Sequence, residues 1–420
     1  MREVGTRTGE RAGTVSEVAR YMVRLGFIAF GGPAAHVAIM RRELVEQRKW
    51  VTDQEFIDML GVTNLIPGPN STEMTMHLGA RRAGWWGLWV GGLGFIGPAV
   101  AIVLALAWAY VRWGETPAGE ALIYGIQPFI LAIIAQAIWG LRGAAVKGIA
   151  TAVAGVLVVV LALLGLNEAI AIIGAGVAMT LWRFTLGRPR SGGEGGGVVP
   201  LRRRRFPFPR IPWRRIALLP GQAAGLAAMP LLPLKPLLPA SSHLAGYSLT
   251  ELFLIFLKIG AVLYGSGYVL IAFMQTDLVA NREWLTEQQL IDAIAVGQFT
   301  PGPVFTAATF AGYVIGSWPG AAAATLGIFL PSFFFVAATH PFIARLRRSP
   351  WASPFLDGVN VAALALMAVV TVRLATEVLD DWYTAGLFAI AVIVLVRFSP
   401  NSALLVLAGS AAGLVHLAAT

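Results

Sequence analysis

A duplication limits how this chain can fold more than any other feature. Gly26, Gly31, Met40, Arg48, Trp50, Thr52, Asp58 and the triplet Pro67-Gly68-Pro69 recur without a gap, 234 positions later, as Gly260, Gly265, Met274, Arg282, Trp284, Thr286, Asp292 and Pro301-Gly302-Pro303. One deletion later, Gly79, Gly87, Gly94, Pro98 and Gly125 match Gly312, Gly320, Gly327, Pro331 and Gly358. Whatever one half builds, the other builds again. The copy also repeats an interruption: proline removes a backbone donor and glycine permits unusual φ, so a helix must stop at each Pro-Gly-Pro and restart after it.

The solvent for this unit follows from charge. Of 420 residues, 57% are hydrophobic and 13% charged, with a mean hydropathy of +0.70; soluble domains carry about 25% charged residues. The chain reads as an all-α polytopic membrane protein, and no cleaved signal peptide is expected. In a bilayer a broken helix persists only where it is buried in protein or lines a polar cavity. Function is therefore sought first at Asn64 to Thr72 and at Gln298 to Thr306. The absence of cysteine excludes disulfides, thiolate chemistry and Fe–S clusters. The five histidines show no metal-ligand spacing, and no phosphate loop or catalytic triad order is present. No metal, cofactor or enzymatic activity is expected, and an intramembrane enzyme is a poor second reading. The net charge of +10 is concentrated in Arg202 to Arg205, Arg214 and Arg215, which suits a cytoplasmic connector beside membrane helices rather than nucleic-acid binding.

Apolar segments lie near 17–40, 54–80, 84–111, 119–141, 146–165 and 168–184, and again near 249–275, 287–313, 318–342, 352–376, 383–397 and 401–418. The expected organisation is a first membrane repeat over 1–186, a basic, Pro/Gly-rich cytoplasmic linker over 187–245, and a second repeat over 246–420. Loop charge alternates between the copies. The loop after segment 1 carries Arg41, Arg42, Arg48 and Lys49, while its counterpart mixes Arg282 with Asp277, Glu283 and Glu287. The loop after segment 3 has Arg112 with Glu115 and Glu120; its counterpart has Arg345, Arg347 and Arg348. The repeats are therefore read as inverted in the membrane. Because Arg81 and Arg82 keep the next loop basic as well, segment 2 is expected to enter, break at Pro67-Gly68-Pro69 and leave on the same side. About five spans per half remain, with both termini periplasmic. The weakest segment is the first, where Phe30-Gly31-Gly32-Pro33 is also a break.

A helix restarting after Pro69 offers the backbone N–H groups of Asn70, Ser71 and Thr72, and helix N-termini attract anions. The hydroxyls of Ser71, Thr72 and Thr75, with Thr306 and Thr309 in the second copy, add donors. The substrate-binding candidates also include the equivalent amides Asn64 and Gln298; Gln127 and Asn360 form a second such pair. Arg24 and Lys258 are equivalent cations inside the first segment of each copy and either face a cavity or snorkel to the interface; Arg20 is a weaker candidate. Proton-coupling candidates are the equivalent Asp58 and Asp292, which could also pair with Arg24 or Lys258, and Glu73, His77 and His36, which occur in the first half only. His77 follows Glu73 by four residues on one helix face. His36 suits a hydrogen bond to a carbonyl as well as a proton switch. Proline kinks relieved by neighbouring helices are the plain alternative to the anion-site reading.

Phe30-Gly31-Gly32-Pro33-Ala34-Ala35-His36, the Trp50-Val51-Thr52 step and the two Pro-Gly-Pro segments resemble the chromate ion transporter (CHR) family in its long, two-domain form. The resemblance covers nearly the whole chain. It implies a multi-pass inner-membrane protein that exports chromate and confers chromate resistance, with sulfate as the related tetrahedral oxyanion and the lipid bilayer as its surroundings. A homodimer is compatible with it. By motif, Gly31, Gly32, Pro33, His36, Pro67, Gly68 and Pro69 carry over, with Pro301, Gly302 and Pro303 in the second half. The second copy has Tyr264-Gly265-Ser266-Gly267 in place of the first break, so the two sites need not be equivalent. A carrier for sulfate or another oxyanion, and an anion channel using the same broken helices, are the competing readings. Energetically, export of a dianion could run on membrane potential alone, which leaves a proton role for Glu73 or Asp58 optional.

Overall fold

The computed structural model describes residues 13–30, 32–185, 247–264, 269–343, 351–398 and 402–419, and among these every regular element is helical. The first half runs α1 (Val15–Ile28), α2 (Gly32–Met40) with a π-helical turn (Arg41–Gln47), α3 (Asp53–Thr63), α4 (Asn70–Trp113), α5 (Pro117–Ala145), α6 (Ile149–Leu163) and α7 (Glu168–Thr185). The second half repeats this order. It runs α8 (Leu249–Val262), α9 (Val269–Met274) with a π-helical turn (Gln275–Ala280), α10 (Glu287–Phe299), a 3-10 turn (Val304–Thr306), α11 (Ala307–Thr339), α12 (Ala352–Val378), α13 (Trp382–Phe398) and α14 (Ser402–Ala419). The described parts of both halves lie in one compact unit. The expected linker, 187–245, lies outside the described residues, as do Gly31 and Gly265 to Gly267.

Local signals repeat as faithfully as the order. Thr52 caps α3 by accepting from the Glu55 amide while the Glu55 carboxylate accepts from the Thr52 amide; Thr286 and Gln289 do the same for α10. Left-handed backbone recurs at Lys49 and Glu283, at Gly68 and Gly302, and at Gly84 and Ser317. The last pair explains a turn hidden in each long helix. Non-helical dihedrals at Ala83 and Gly84 fold α4 into two arms, 70–82 and 85–113, and Gly316 and Ser317 do the same to α11. The arms pack so closely that a Cβ on Gly79 or Gly87 would collide with the other's carbonyl oxygen; Gly312 and Gly320 repeat the contact. At the start of α3, Glu55 pairs with Arg81 at the end of the first arm, Nη2 to Oε1 at 3.1 Å. The α3 helix and that arm thus form a hairpin with adjacent ends, and Pro67-Gly68-Pro69 is its tip.

The second arms of α4 and α11 run antiparallel past each other. Trp85 and Leu88 share a cavity with His340 and Ala337. One turn further along α4, and one turn back along α11, Trp89 stacks on Phe333 with ring centroids 5.0 Å apart. Equivalent helices passing in opposite directions are what inverted repeats require. The halves also exchange their ends: α7 packs on α12, where Gly358 abuts the Ala175 carbonyl, and α14 packs on α5, where Gly125 abuts the Gly409 carbonyl. Glycine at these crossings lets backbones approach without a side chain between them, the packing mode favoured where lipid removes any hydrophobic drive between helices.

Among the described residues, five helices are long and apolar enough to cross a membrane: Asn70–Trp113, Pro117–Gly143, Glu168–Thr185, Val304–Phe342 and Ala352–Val378. The shorter apolar helices Ile149–Leu163, Val269–Ala280, Trp382–Phe398 and Leu404–Ala419 have 10 to 17 residues, at most about 26 Å against a hydrocarbon core of about 30 Å. The expected count of five spans per half therefore resolves into helices of unequal length; the turns at Ala83-Gly84 and Gly316-Ser317 fall between the expected segments 54–80 and 84–111, and 287–313 and 318–342.

Close packing at the hidden turns is testable. Gly79→Val should abolish a monodisperse folded species in detergent, since the facing group is rigid backbone. Gly97→Ala has open space and should hold or raise Tm, as Gly→Ala in a helix gains about 0.5–1 kcal/mol. Equal melting of both variants would remove the interpretation of α4 as two packed arms.

Candidate functional site

The two breaks meet. The Gly68 amide donates to the Leu263 carbonyl at 2.7 Å, and the Gly302 amide donates to the Ala29 carbonyl at 2.9 Å. Ala29 and Leu263 end α1 and α8, so their carbonyls sit at helix ends that lack intrahelical acceptors' partners. Each Pro-Gly-Pro tip thus satisfies the first break of the opposite half. The Ala29 carbonyl accepts a second bond from His36 Nε2 at 2.9 Å, which requires the hydrogen on Nε2. His36 therefore makes the carbonyl contact, and its ring packs edge-on to Phe95.

The restarted helices begin beside this crossing. The Pro69 carbonyl takes the Thr72 and Glu73 amides, so the open end of α4 consists of the Asn70 and Ser71 amides rather than all three expected groups. Ser71, Thr72, Thr75, Thr306 and Thr309 are each at most 2% exposed. Thr72 Oγ1 has no partner; Thr75 and Thr306 donate to the carbonyls of Thr72 and Pro303, and Thr309 pairs with Thr325. Asn70 Nδ2 bonds Asn64 Oδ1 at 2.7 Å, which leaves the buried Asn70 Oδ1 unpartnered. Asn64 itself is exposed, whereas Gln298 is buried and borders a small cavity with Val304 and Ala307.

The two tips sit in unlike niches. Any side chain at Gly68 would strike the Glu73 carboxyl and Ser332 Oγ; at Gly302 it would strike Ala99 Cβ. Position for position, Ser332 of the first niche is replaced by Ala99 in the second. Both glycines hold left-handed φ, 135° and 98°, so no other residue fits either the backbone or the space.

The cations are elsewhere. Arg24 Nη1 lies 3.5 Å from Glu43 Oε2, and Lys258 Nζ lies 2.5 Å from Asp277 Oδ2. These are equivalent pairs, and both acids lie in the π-helical turns, a local geometry common at functional sites. Arg24 also lines a cavity of about 300 Å³ with Arg20, Tyr21, Arg48, Thr14, Ser16 and Glu17, a set that includes none of the break residues. Sequence reasoning set Arg24 and Lys258 alongside the breaks; the structure joins them instead to Glu43 and Asp277. The signal was available, since both acids stand at the repeat spacing, but a search for identities passes over a Glu aligned with an Asp.

Among the proton-coupling candidates, Asp58 accepts from Gln54, while the buried Asp292 accepts from Tyr110 of the other half at 2.8 Å and from Gln288. Glu73 and His77 are both fully buried on one face of α4. His77 Nδ1 lies 3.0 Å from His340 Nδ1, a partner no sequence spacing disclosed. Tyr110 and Ser332 were missed for the same reason: each acts across the repeat interface. Among the described residues, no group of three or more acidic or histidine side chains could hold a metal ion.

Two inverted repeats with crossed, broken helices at their boundary define the architecture of a membrane transporter. Comparison with known proteins is specific. The family model described as "Chromate transporter" matches residues 16–180 and again 250–414, one match per repeat, and the chain belongs to that family. It is 30% identical over 404 residues to the "Chromate transport protein" of Cupriavidus metallidurans, covering 95% of this chain and 92% of that one. It is 30% identical over 381 residues to the "Probable chromate transport protein" of Synechococcus elongatus, covering 90% and 89%. It is 31% identical over 363 residues to the "Chromate transport protein" of Pseudomonas aeruginosa, covering 85% and 80%. No solved structure matches the chain.

The ion pairs give a graded stability test. Lys258→Ala leaves a nearly buried Asp277 with only Arg282, at 3.8 Å, and should cost about 1–3 kcal/mol. Arg24→Ala, whose side chain is more exposed, should cost under about 1 kcal/mol. Adding Asp277→Ala to Lys258→Ala should recover most of the loss in a thermal melt; no recovery would mean the pair is not the reason for the lysine.

Proposed function

We propose that this protein is a secondary transporter that exports chromate across the inner membrane, with the two restarted helices forming the oxyanion site. The observation that carries the proposal is the reciprocal crossing of the breaks, which brings two helix N-termini and a set of buried hydroxyls to the boundary between inverted repeats. Helix starts and hydroxyls donate to a tetrahedral dianion without needing a full countercharge. The relatives named as chromate transport proteins support chromate as that dianion. Near-complete burial of Ser71, Thr72, Thr75, Thr306 and Thr309 favours a carrier that closes over its substrate rather than an open channel.

In this reading the α3–α4 hairpin enters and leaves on one side, with its tip near the midplane, and the α10–α11 hairpin enters from the other. Arg81 and Arg82 lie at the same end as His340, which the sequence follows with Arg345, Arg347 and Arg348. Basic ends gathered on one side mark that side as cytoplasmic, so the linker is cytoplasmic and both termini are periplasmic. A dianion leaving an inside-negative cell gains roughly 4–5 kcal/mol per 100 mV, enough to drive export and confer chromate resistance.

Chromate uptake into everted vesicles tests the reading. Ser71→Ala with Thr72→Ala should lower transport at least about tenfold, because each lost donor to an anion costs about 1.5–3 kcal/mol, and uptake should follow the imposed voltage more than the pH gradient. Sulfate measured beside chromate separates the oxyanions. Uptake that persists at zero voltage and collapses without a pH gradient would refute the voltage-driven scheme; wild-type transport by the double variant would displace the site.

A further inference from the structure

Glu73 is the feature that voltage-driven export leaves unused. It is 0% exposed, neither carboxyl oxygen has a hydrogen-bond partner, and Ser332 Oγ is the polar group it meets across the repeat interface at the Gly68 tip. Among the described residues no cation faces it: the titratable neighbour from the second half is Tyr264. From α3 come Glu55, held by Arg81, and Asp58, held by Gln54. An ionised carboxylate in such a place has only the start of α4 and the Ser332 hydroxyl to compensate its lost hydration. One turn on, His77 is equally buried, and its Nε2 has no partner. Glu73 and His77 stand four residues apart on one face of α4, with no hydrogen bond between them. Its Nδ1 meets His340 Nδ1 at 3.0 Å with the rings stacked, centroids 5.3 Å apart. His340 in turn lines a cavity of about 160 Å³ between Ala80, Gly84 and Trp85 of α4 and Ala337 and Pro341 of the second half, with Arg81 as the charged group facing it.

We propose that His340, His77 and Glu73 form a proton line from the basic end of the molecule to the Gly68 tip, and that an oxyanion binds beside that tip only when Glu73 carries a proton. The proposal rests on the oxyanion site described above and adds what controls its occupancy. Glu73 stands in the first turn of the helix whose Asn70 and Ser71 amides receive the anion, so an ionised Glu73 competes for the same positive helix end and repels the dianion. Binding of anion and proton are then linked, and each must strengthen the other by the same factor. The line exists in one half only: the counterparts of Glu73 and His77 are Thr306 and Phe310. His340 and His77 are positioning and relay groups; Glu73 is the group that shares the niche with the anion.

The test is oxyanion affinity of the purified, detergent-solubilised chain as a function of pH, read by intrinsic tryptophan fluorescence. Sulfate is the first probe because it stays a dianion throughout, and chromate is the second. As pH rises the wild-type affinity should fall, by up to about tenfold per pH unit once Glu73 ionises. Glu73→Gln should bind with an affinity independent of pH. His340→Gln should keep the wild-type equilibrium curve but slow the fluorescence change after a pH jump at least about tenfold. A wild-type curve that is flat, or a Glu73→Gln curve with the wild-type slope, overturns the proton line while leaving the oxyanion site standing. Absence of both sulfate and chromate binding in the wild type overturns both. Should Glu73→Gln fail to fold, the His340→Gln pH-jump rate decides alone, and an unchanged rate overturns the line.

Discussion

Two backbone hydrogen bonds hold the centre of this molecule together, and neither half could make its own. A break in a membrane helix frees donors and acceptors that lipid cannot satisfy. Here Gly68 donates to Leu263 and Gly302 donates to Ala29, so each copy's second break is answered by the other copy's first. The left-handed glycines are what allow the tips to turn their amides outward at this point. The antiparallel second arms of α4 and α11 and the exchanged packing of α7 and α14 hold the two tips in register. The crossing, the niches and the buried helix starts all follow from that pair of bonds.

Symmetry supplies the frame, and departures from it supply the chemistry. Gly68 looks onto Glu73 and Ser332, whereas Gly302 looks onto Ala99. The Ala29 carbonyl carries a histidine that its counterpart, Leu263, lacks, because Leu270 occupies the position of His36. Ser317 takes the left-handed turn conformation that Gly84 takes in the first half, at a cost of about 1–2 kcal/mol that the surrounding packing must offset. Duplication thus fixed the backbone twice and left side chains free to diverge at the boundary. That boundary is where a transporter with one substrate path needs unlike surroundings on its two sides.

Much of this was legible before any coordinates. The repeat spacing, the breaks and the opposed loop charges point to inverted halves, because periodic identities and basic loops are local properties of a chain. The α3 and α10 capping boxes are local in the same sense. What escaped was everything set by the meeting of the halves. The fold-back of α4 at Ala83-Gly84 did not escape: it follows the basic pair Arg81-Arg82, between the expected segments 54–80 and 84–111. Tyr110 with Asp292, Glu73 with Ser332 and His77 with His340 join residues far apart in sequence and unmatched by the repeat, so no spacing rule links them. The Arg24 and Lys258 partners lay within reach of the repeat itself, yet Glu43 and Asp277 match in charge and not in identity.

The reciprocal pair of amide bonds also bears on stoichiometry. A single repeat in isolation would present one unmet donor at its Pro-Gly-Pro tip and one unmet acceptor at the end of its first helix. Those two groups do not meet within the repeat; they meet only their opposites on a second repeat facing the other way. Any protein built from one such unit is thereby committed to even numbers, half its copies inserted in each orientation. Fusion into one chain makes that ratio automatic, and it frees each copy to keep mutations the other does not share.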